Sequence, residues 1–280
     1  MRTVVITGGT NGIGRGLALR RLRDGDRVIA VGSSAARGQA LHAEAARLDA
    51  AGRFTFIQAD LSSVARTTAL AGELRAAYPV IDVLVLCAYR YNPERLETSE
   101  GLERTFALYA VSRYLLAEQL RPSLERADRP VILNLCGTGG VPTGSIHWDD
   151  LQLRRGYTGF RATMQGARVN DLLGVGFQDR DPVSAIRYLL YNPLFVDTGL
   201  EYAFTQPTKT VVKVMAALFA APIDKALAPI VELLADPPAE RLVAYRTRKR
   251  VDLSRKEFNR ASALRLYGML AELTGAYQRR

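Results

Sequence analysis

The chain opens MRTVVITGGTNGIGRGLALRRLR over residues 1–23, and the reading of this stretch decides the fold. Val4, Val5 and Ile6 are a short β-branched run suited to a buried parallel strand. Thr7, Gly8 and Gly9 break it, and Asn11, Gly12, Ile13 and Gly14 lead into a helical pattern over 15–23 in which Leu17, Leu19 and Leu22 are apolar. A strand, a glycine turn and a helix in that order offer bare backbone N–H groups and the positive end of a helix dipole to an anion. Side chains at Gly8, Gly12 or Gly14 would block a pyrophosphate, so the glycines point to a bound dinucleotide.

Outward from there, apolar runs at 27–31, 54–58, 80–86, 131–135 and 185–191 alternate with helical patterns at 35–50, 69–77, 101–120 and 162–177. A helix at 229–234 precedes a seventh candidate strand at 241–246. This alternation predicts an α/β fold: a Rossmann-type doubly wound parallel sheet with helices on both faces, whose ligands bind beyond the carboxyl ends of the strands. Neither a repeat nor a long linker interrupts it, so one domain over 1–280 is expected.

A composition of 48% apolar and 24% charged residues suits one large buried core in 280 residues. The net charge of +10 rests on 38 basic residues, of which five are lysine, the first being Lys209. The charge is dispersed, with one short basic run at 246–250, so no nucleic-acid partner is expected; it suits a small anionic ligand. Cys87 and Cys136 fall in or just after strand-like runs, and His42 and His147 are the only histidines, which leaves no disulfide framework and no zinc spacing. No apolar segment approaches the roughly 18 to 20 residues of a membrane span. A cytoplasmic protein without a membrane partner is expected.

Thr7 to Gly14 matches a TGxxxGxG pattern, and the chain resembles the short-chain dehydrogenase/reductase superfamily over almost its whole length. Asp60 and Leu61, closing the third strand, are similar to the pair that meets the adenine ring in that family. The stretch IHWDDL from Ile146 and the late RLYGMLAELTG from Arg265 resemble its retinol-dehydrogenase-like branch. Asn192, Pro193, Val196 and Thr198 take the place of the PGxVxT motif that holds the nicotinamide carboxamide, with Leu194 standing where the family has glycine. The resemblance implies a nicotinamide cofactor. An NAD enzyme places an acidic residue at the end of the second strand, and Val31, Gly32, Ser33, Ser34 and Ala35 include none. A 2′-phosphate would meet the two serines, with Arg37 or Arg15 in reach, so NADP(H) is expected. The cofactor set is then Thr7, Gly8, Asn11, Gly12, Ile13, Gly14, Ser33, Ser34, Arg37, Asp60, Leu61, Ala88, Pro193, Val196 and Thr198.

The family's proton-handling residues do not carry over. Its Asn-Asn-Ala-Gly after the fourth strand is Leu86, Cys87, Ala88, Tyr89 here, and Tyr109 stands in place of the helix asparagine. Cys136 and Gly137 occupy the place of the substrate-binding serine. The YxxxK pair falls on Thr163 and Ala167, or one residue on, at Met164 and Arg168. Tyr157 and Arg161 keep a YxxxR spacing that would share one helical face, but they sit six residues early, and the guanidinium fork lacks the amine geometry of lysine. His147 has a pKa suited to proton transfer and is read as a packing residue; Asp149 and Asp150 are read as caps of the following turn. No residue is therefore assigned a catalytic role. Cys136, Gly137, Thr138, Thr163 and Tyr202 are expected to line the substrate pocket, under a lid at 199–225 with the apolar run Val211, Val212, Val214, Met215, Leu218, Phe219.

A positioned general acid is worth about 10²–10⁴-fold. Without one, hydride transfer favours a ketone hydrogen-bonded to its own neighbouring phenol. The expected activity is an atypical NADPH-dependent ketoreductase acting on a phenolic polycyclic aromatic polyketide ketone in antibiotic biosynthesis; the degenerate tetrad inside a retained retinol-dehydrogenase-like frame resembles that of angucyclinone ketoreductases, which implies an angucyclinone-like ketone. Two alternatives stay open: a non-redox cyclase or dehydratase on the same scaffold, and a silent dinucleotide-binding protein. The oligomeric state is open, since Arg104, Arg113, Arg161 and Arg168 make the usual interface helices basic.

Overall fold

A computed structural model describes residues 1–139, 144–194 and 222–278. Its strands are β1 (Thr3–Thr7), β2 (Arg27–Gly32), β3 (Phe54–Gln58), β4 (Val83–Leu86), β5 (Val131–Leu135), β6 (Arg187–Asn192), β7 (Leu242–Arg246) and β8 (Lys249–Arg250). They form one sheet in the order β3-β2-β1-β4-β5-β6-β7-β8. All neighbours pair in parallel except β7 with β8. The parallel doubly wound sheet is thus present, with a short antiparallel edge that the sequence pattern did not reveal.

Period-two alternation along the strands divides the interior in two. Val5, Leu84, Ile132 and Tyr188 face one core and Val4, Val83, Val131 and Leu189 the other. Helices α1 (Gly12–Arg23) and α2 (Ala35–Arg47) cover the second core with Leu17 and Leu41. The first lies under α3 (Val64–Ala77) and α4, which runs from Arg104–Phe106 through a π-helical turn, Ala107–Val111, into Ser112–Leu124. α5 (Gly159–Arg180) shares that face.

Several boundaries differ from expectation, among them the start of α3 at Val64 and not at 69. The strand expected at 80–86 starts at Val83, because Val80 is exposed and the Ile81 amide bonds the Ser123 carbonyl. The helix expected at 229–234 is α6 (Ile223–Ala235), which takes over the last residues assigned to the lid. Its Leu227 packs so closely on α1 that a Cβ at Gly16 would lie 2.7 Å from Leu227 Cδ1. The remainder of that span, 199–221, lies outside the described residues, together with Val196, Thr198 and Tyr202. A closing helix α7 (Arg260–Gln278) buries Leu266 and Leu270, and its Tyr267 hydroxyl donates to the Leu173 carbonyl at 3.1 Å.

Candidate active site

The strand order reverses between β1 and β4, and the loops leaving their carboxyl ends meet there. Gly8 has φ +65°, and a Cβ on it would sit 2.8 Å from Ala88 Cα. The Thr7 hydroxyl is spent inside this junction: it donates to the Val85 carbonyl at 3.2 Å and accepts from the Cys87 and Ala88 amides at 3.0 and 3.3 Å. Thr7 and Gly8 therefore fasten the turn to β4 as well as shaping it for a ligand. Asn11 caps α1 without a side-chain hydrogen bond, so Gly12, Ile13 and Gly14 begin a helix whose first amides are open to an anion.

Around the end of β2, Ser34 uses its hydroxyl to cap α2, accepting from the Arg37 amide at 3.4 Å, while Ser33 is exposed. Arg15 is paired with Glu44, which leaves the exposed Arg37 side chain as the nearby cation without an ion-pair partner among the described residues. One Asp60 oxygen accepts from the Ser62 amide at 2.9 Å and hydroxyl at 2.7 Å, and the other lies 3.7 Å from Arg104. Leu61 is buried in the core and Pro193 is half-buried beyond β6. Leu194 has φ +61°, the left-handed backbone natural to the glycine it replaces.

The residues that the sequence pattern puts where the family has its proton machinery, Tyr109, Gly137, Thr163 and Ala167, come together. Tyr109 lies in the π-turn of α4, and its freed carbonyl accepts from Asn170 Nδ2 at 2.8 Å. Its ring reaches over Gly166, where any Cβ would overlap it. A Cβ at Gly137 would stand 2.8 Å from that of Ala167, so the serine and lysine positions are closed against each other. Tyr89, directly after β4, packs edge-on to Tyr109 with ring centroids 4.9 Å apart, and its hydroxyl meets Thr163 Oγ1 at 2.7 Å. Thr163 donates in turn to the Gly159 carbonyl at 2.7 Å, so the Tyr89 proton points to Thr163. Burial pushes the Tyr89 phenol up to about 12, and the Cys87 and Cys136 thiols also to about 12, so neither cysteine is a nucleophile.

Two of the arginines that make these helices basic are buried. Arg113 sits beneath Tyr109, its guanidinium carbon 4.5 Å from the ring centroid. It donates to Asn134 Oδ1 and to the carbonyls of Leu135 at 2.7 Å and Ala88 at 3.0 Å, so one side chain ties the ends of β4 and β5. Asn134 completes the cluster by donating to Asn170 Oδ1 and Tyr188 Oη, both at 2.9 Å. Arg168 pairs with Asp171 at 3.0 Å and donates to the Gly137 carbonyl at 3.1 Å. Asp171 is 0% exposed, and desolvation outweighs the attraction of Arg168, raising its carboxyl to about 7. Arg113 carried no readable sequence signal beyond its place four residues after Tyr109.

The decoy motif is resolved by the helix boundary. Thr158 caps α5, so Tyr157 precedes the helix and shares no face with Arg161, contrary to its spacing. Its hydroxyl donates to the Asn92 carbonyl at 2.9 Å. Arg161 donates to His147 Nε2 at 3.1 Å, so that imidazole nitrogen is an acceptor. Asp150 accepts from the Arg154 and Arg155 amides at 2.9 and 3.0 Å, the capping role expected of it. Among the described residues no cluster of three metal-binding side chains occurs, and no helix is long and apolar enough to cross a membrane.

Several known proteins share parts of this chain. A protein of Streptomyces sp. (strain C5) that carries the name daunorubicin C-13 ketoreductase DnrU is 35% identical over 150 residues, 54% of this chain and 50% of its own length. Mouse polyprenol dehydrogenase is 28% identical over 71% of this chain and 61% of its own. Human retinol dehydrogenase 14 is 26% identical over 56% of this chain and 50% of its own. The chain therefore spans only about half to three-fifths of these relatives. Among solved structures, an uncharacterized protein from Mycobacterium Paratuberculosis superposes with TM-score 0.72 at 23% identity, covering 98% of this chain and 94% of that one. A metagenomic short-chain oxidoreductase in complex with NADP gives TM-score 0.62 at 20% identity, covering 89% and 98%. The family model described as short chain dehydrogenase matches residues 2–148, more than half of the 280, and the protein belongs to that family.

Proposed function

We propose that the chain is an NADP(H)-dependent ketoreductase acting on a phenolic polycyclic aromatic ketone, in which the substrate's own phenol supplies the proton. The observation that carries this reading is the contrast within one crevice. The glycine turn and the uncapped start of α1 are intact, whereas Tyr109, Gly137, Thr163 and Ala167 fill the places of the proton machinery. The name of the Streptomyces relative, a ketoreductase, supports ketone reduction. The cofactor fits the residues present: amides of α1 for the pyrophosphate, Asp60 for the adenine end, and exposed Ser33 and Arg37 for a 2′-phosphate.

NADPH, when bound, supplies the hydride. Residues at the β1–β4 junction would hold it, and Tyr89, Tyr109 and the loop after β5 would flank the carbonyl. The carbonyl oxygen would take its proton from the substrate's own hydrogen-bonded phenol, because Thr163 and Ala167 offer it no tyrosine–lysine pair there. Solvent then reprotonates the phenolate, and no protein group changes protonation. Orientation and water exclusion are the protein's contribution.

The test incubates the protein with NADPH and a panel of phenolic polyketide ketones, reading absorbance and product mass together. NADPH consumption with a two-hydrogen mass gain is expected, and masking the phenol as a methyl ether should abolish it. Unchanged turnover of the ether would remove the substrate's acid from the mechanism. Conversion without NADPH loss would identify a cyclase or dehydratase, and binding with no conversion of any ketone a silent dinucleotide-binding protein.

A further inference from the structure

Three described arginines are buried, and two have carboxylates: Arg21 pairs with Asp26 and Arg168 with Asp171. Arg113, 2% exposed, has none among the described residues. Its acceptors are all neutral, namely Asn134 Oδ1, Asn170 Oδ1 and the carbonyls of Ala88 and Leu135, and its Nε has no partner. A guanidinium stays protonated inside a protein, and an uncompensated buried charge is costly. Tying two strand ends together needs donors and not a charge, so the positive charge is unexplained by the fold.

Its position suggests what it serves. Ala88 and Leu135 mark the carboxyl ends of β4 and β5, the floor of the proposed carbonyl pocket. Over that cation lies the Tyr109 ring, 4.5 Å from the guanidinium carbon. Tyr109 and Arg113 are four residues apart on α4, one helical turn, so the tyrosine-plus-cation spacing missing from Thr163 and Ala167 on α5 recurs on the neighbouring helix. Glycine at 166 admits the ring, and the Tyr109 hydroxyl donates to no described acceptor. Burial raises the Tyr109 phenol, keeping it protonated, while Arg113 and the Gly137 amide act to favour negative charge at its oxygen.

We propose that Tyr109 and Arg113 form an oxyanion-receiving pair: the Tyr109 hydroxyl donates a hydrogen bond to an ionised oxygen of the ligand, and Arg113 behind the ring supplies the balancing charge. The ligand class is a phenolate or the alkoxide it exchanges with, which deepens the ketoreductase reading at the same site and rests on it for the substrate class. No covalent bond forms or breaks at the pair. Tyr109 touches the ligand; Arg113 acts through it as a positioning residue.

The pair can be tested without turnover by spectrophotometric titration of alizarin, 1,2-dihydroxyanthraquinone, whose ionisation shifts its visible absorption to the red. Bound to the wild-type full chain, the dye should ionise with an acid constant at least tenfold higher than free, about one pH unit. Tyr109→Phe and Arg113→Met should lose that shift, and Arg113→Lys should keep most of it. An unshifted bound dye, no binding by wild type, or an unaltered shift in Tyr109→Phe would overturn the pair. Should Arg113→Met fail to fold, Tyr109→Phe and Arg113→Lys decide, since one removes a single oxygen and the other keeps the charge. Absent NADPH oxidation in the ketone panel would sink the ketoreductase reading and leave the dye result standing.

Discussion

Gly8 meets two demands, and they are separable by experiment. Its φ of +65° and the 2.8 Å gap to Ala88 Cα belong to the protein alone, before any ligand arrives. Gly8→Ala should cost at least the ~1–2 kcal/mol of a left-handed non-glycine residue, and thermal denaturation without NADPH should show it. Leu194 is the converse: φ +61° on a 44% exposed leucine. Leu194→Gly relieves ~1–2 kcal/mol of backbone strain against ~0.5–1 kcal/mol of added chain entropy, so calorimetry should find a Tm higher by about 2 °C. Asp171 gives a pH signature. Its folded carboxyl at about 7 lies above the ~3.9 of an unfolded aspartate, so the folded state retains a proton that the unfolded state releases. Stability from this group is full at acid pH and is lost as pH rises through about 7. Urea denaturation across that interval should show a downward slope in wild type that Asp171→Asn flattens. At the proposed 2′-phosphate site, Arg37→Ala should weaken NADPH binding tenfold or more, ~1.4 kcal/mol, and leave NADH nearly unchanged in a fluorescence titration.

At the scale of elements, the proposed pair puts on α4 the tyrosine and cation that the family pattern puts on α5. Replacing Thr163 by Tyr and Ala167 by Lys would restore the motif in name only. Position 167 is buried against Gly137, and Tyr109 already occupies the space above Gly166. The double substitution should cost at least the ~1–3 kcal/mol typical of overpacking and should not raise turnover until Tyr109 is also replaced. The strands and helices up to β7 were legible because β-branched runs and helical periodicity alternate without interruption. Helix α7 went unread as a helix although RLYGMLAELTG had been singled out as family-like, and β8 is two residues long, too short for any pattern. Counting along the chain made the places where the family's tetrad would fall legible as an expectation. Their refilling was not, because Tyr89, Tyr109, Arg113 and Thr163 converge from three separate segments and their contacts depend on a π-turn no periodicity announces. The YxxxR spacing of Tyr157 and Arg161 misled for the opposite reason: the helix starts at Gly159, so the spacing never becomes a face.

At the scale of the molecule, the net charge of +10 looked like surface. Part of it is buried: Arg21 and Arg168 lie inside the fold on carboxylates, and Arg113 on neutral acceptors. The strand order also bears on how the chain is made. Synthesis delivers β1 to β3 first, but Arg2 is finally anchored by donating to the Leu234 carbonyl, 232 residues away, at 2.8 Å. Until β7 emerges, β6 is an open edge whose backbone from Tyr188 to Asn192 can pair with any passing strand. The two residues of β8 then finish the sheet with Lys249 and Arg250. A strand that short, running the other way and carrying two cations, gives a second molecule little to add to, so the last few residues of the sheet act as its guard against polymerisation.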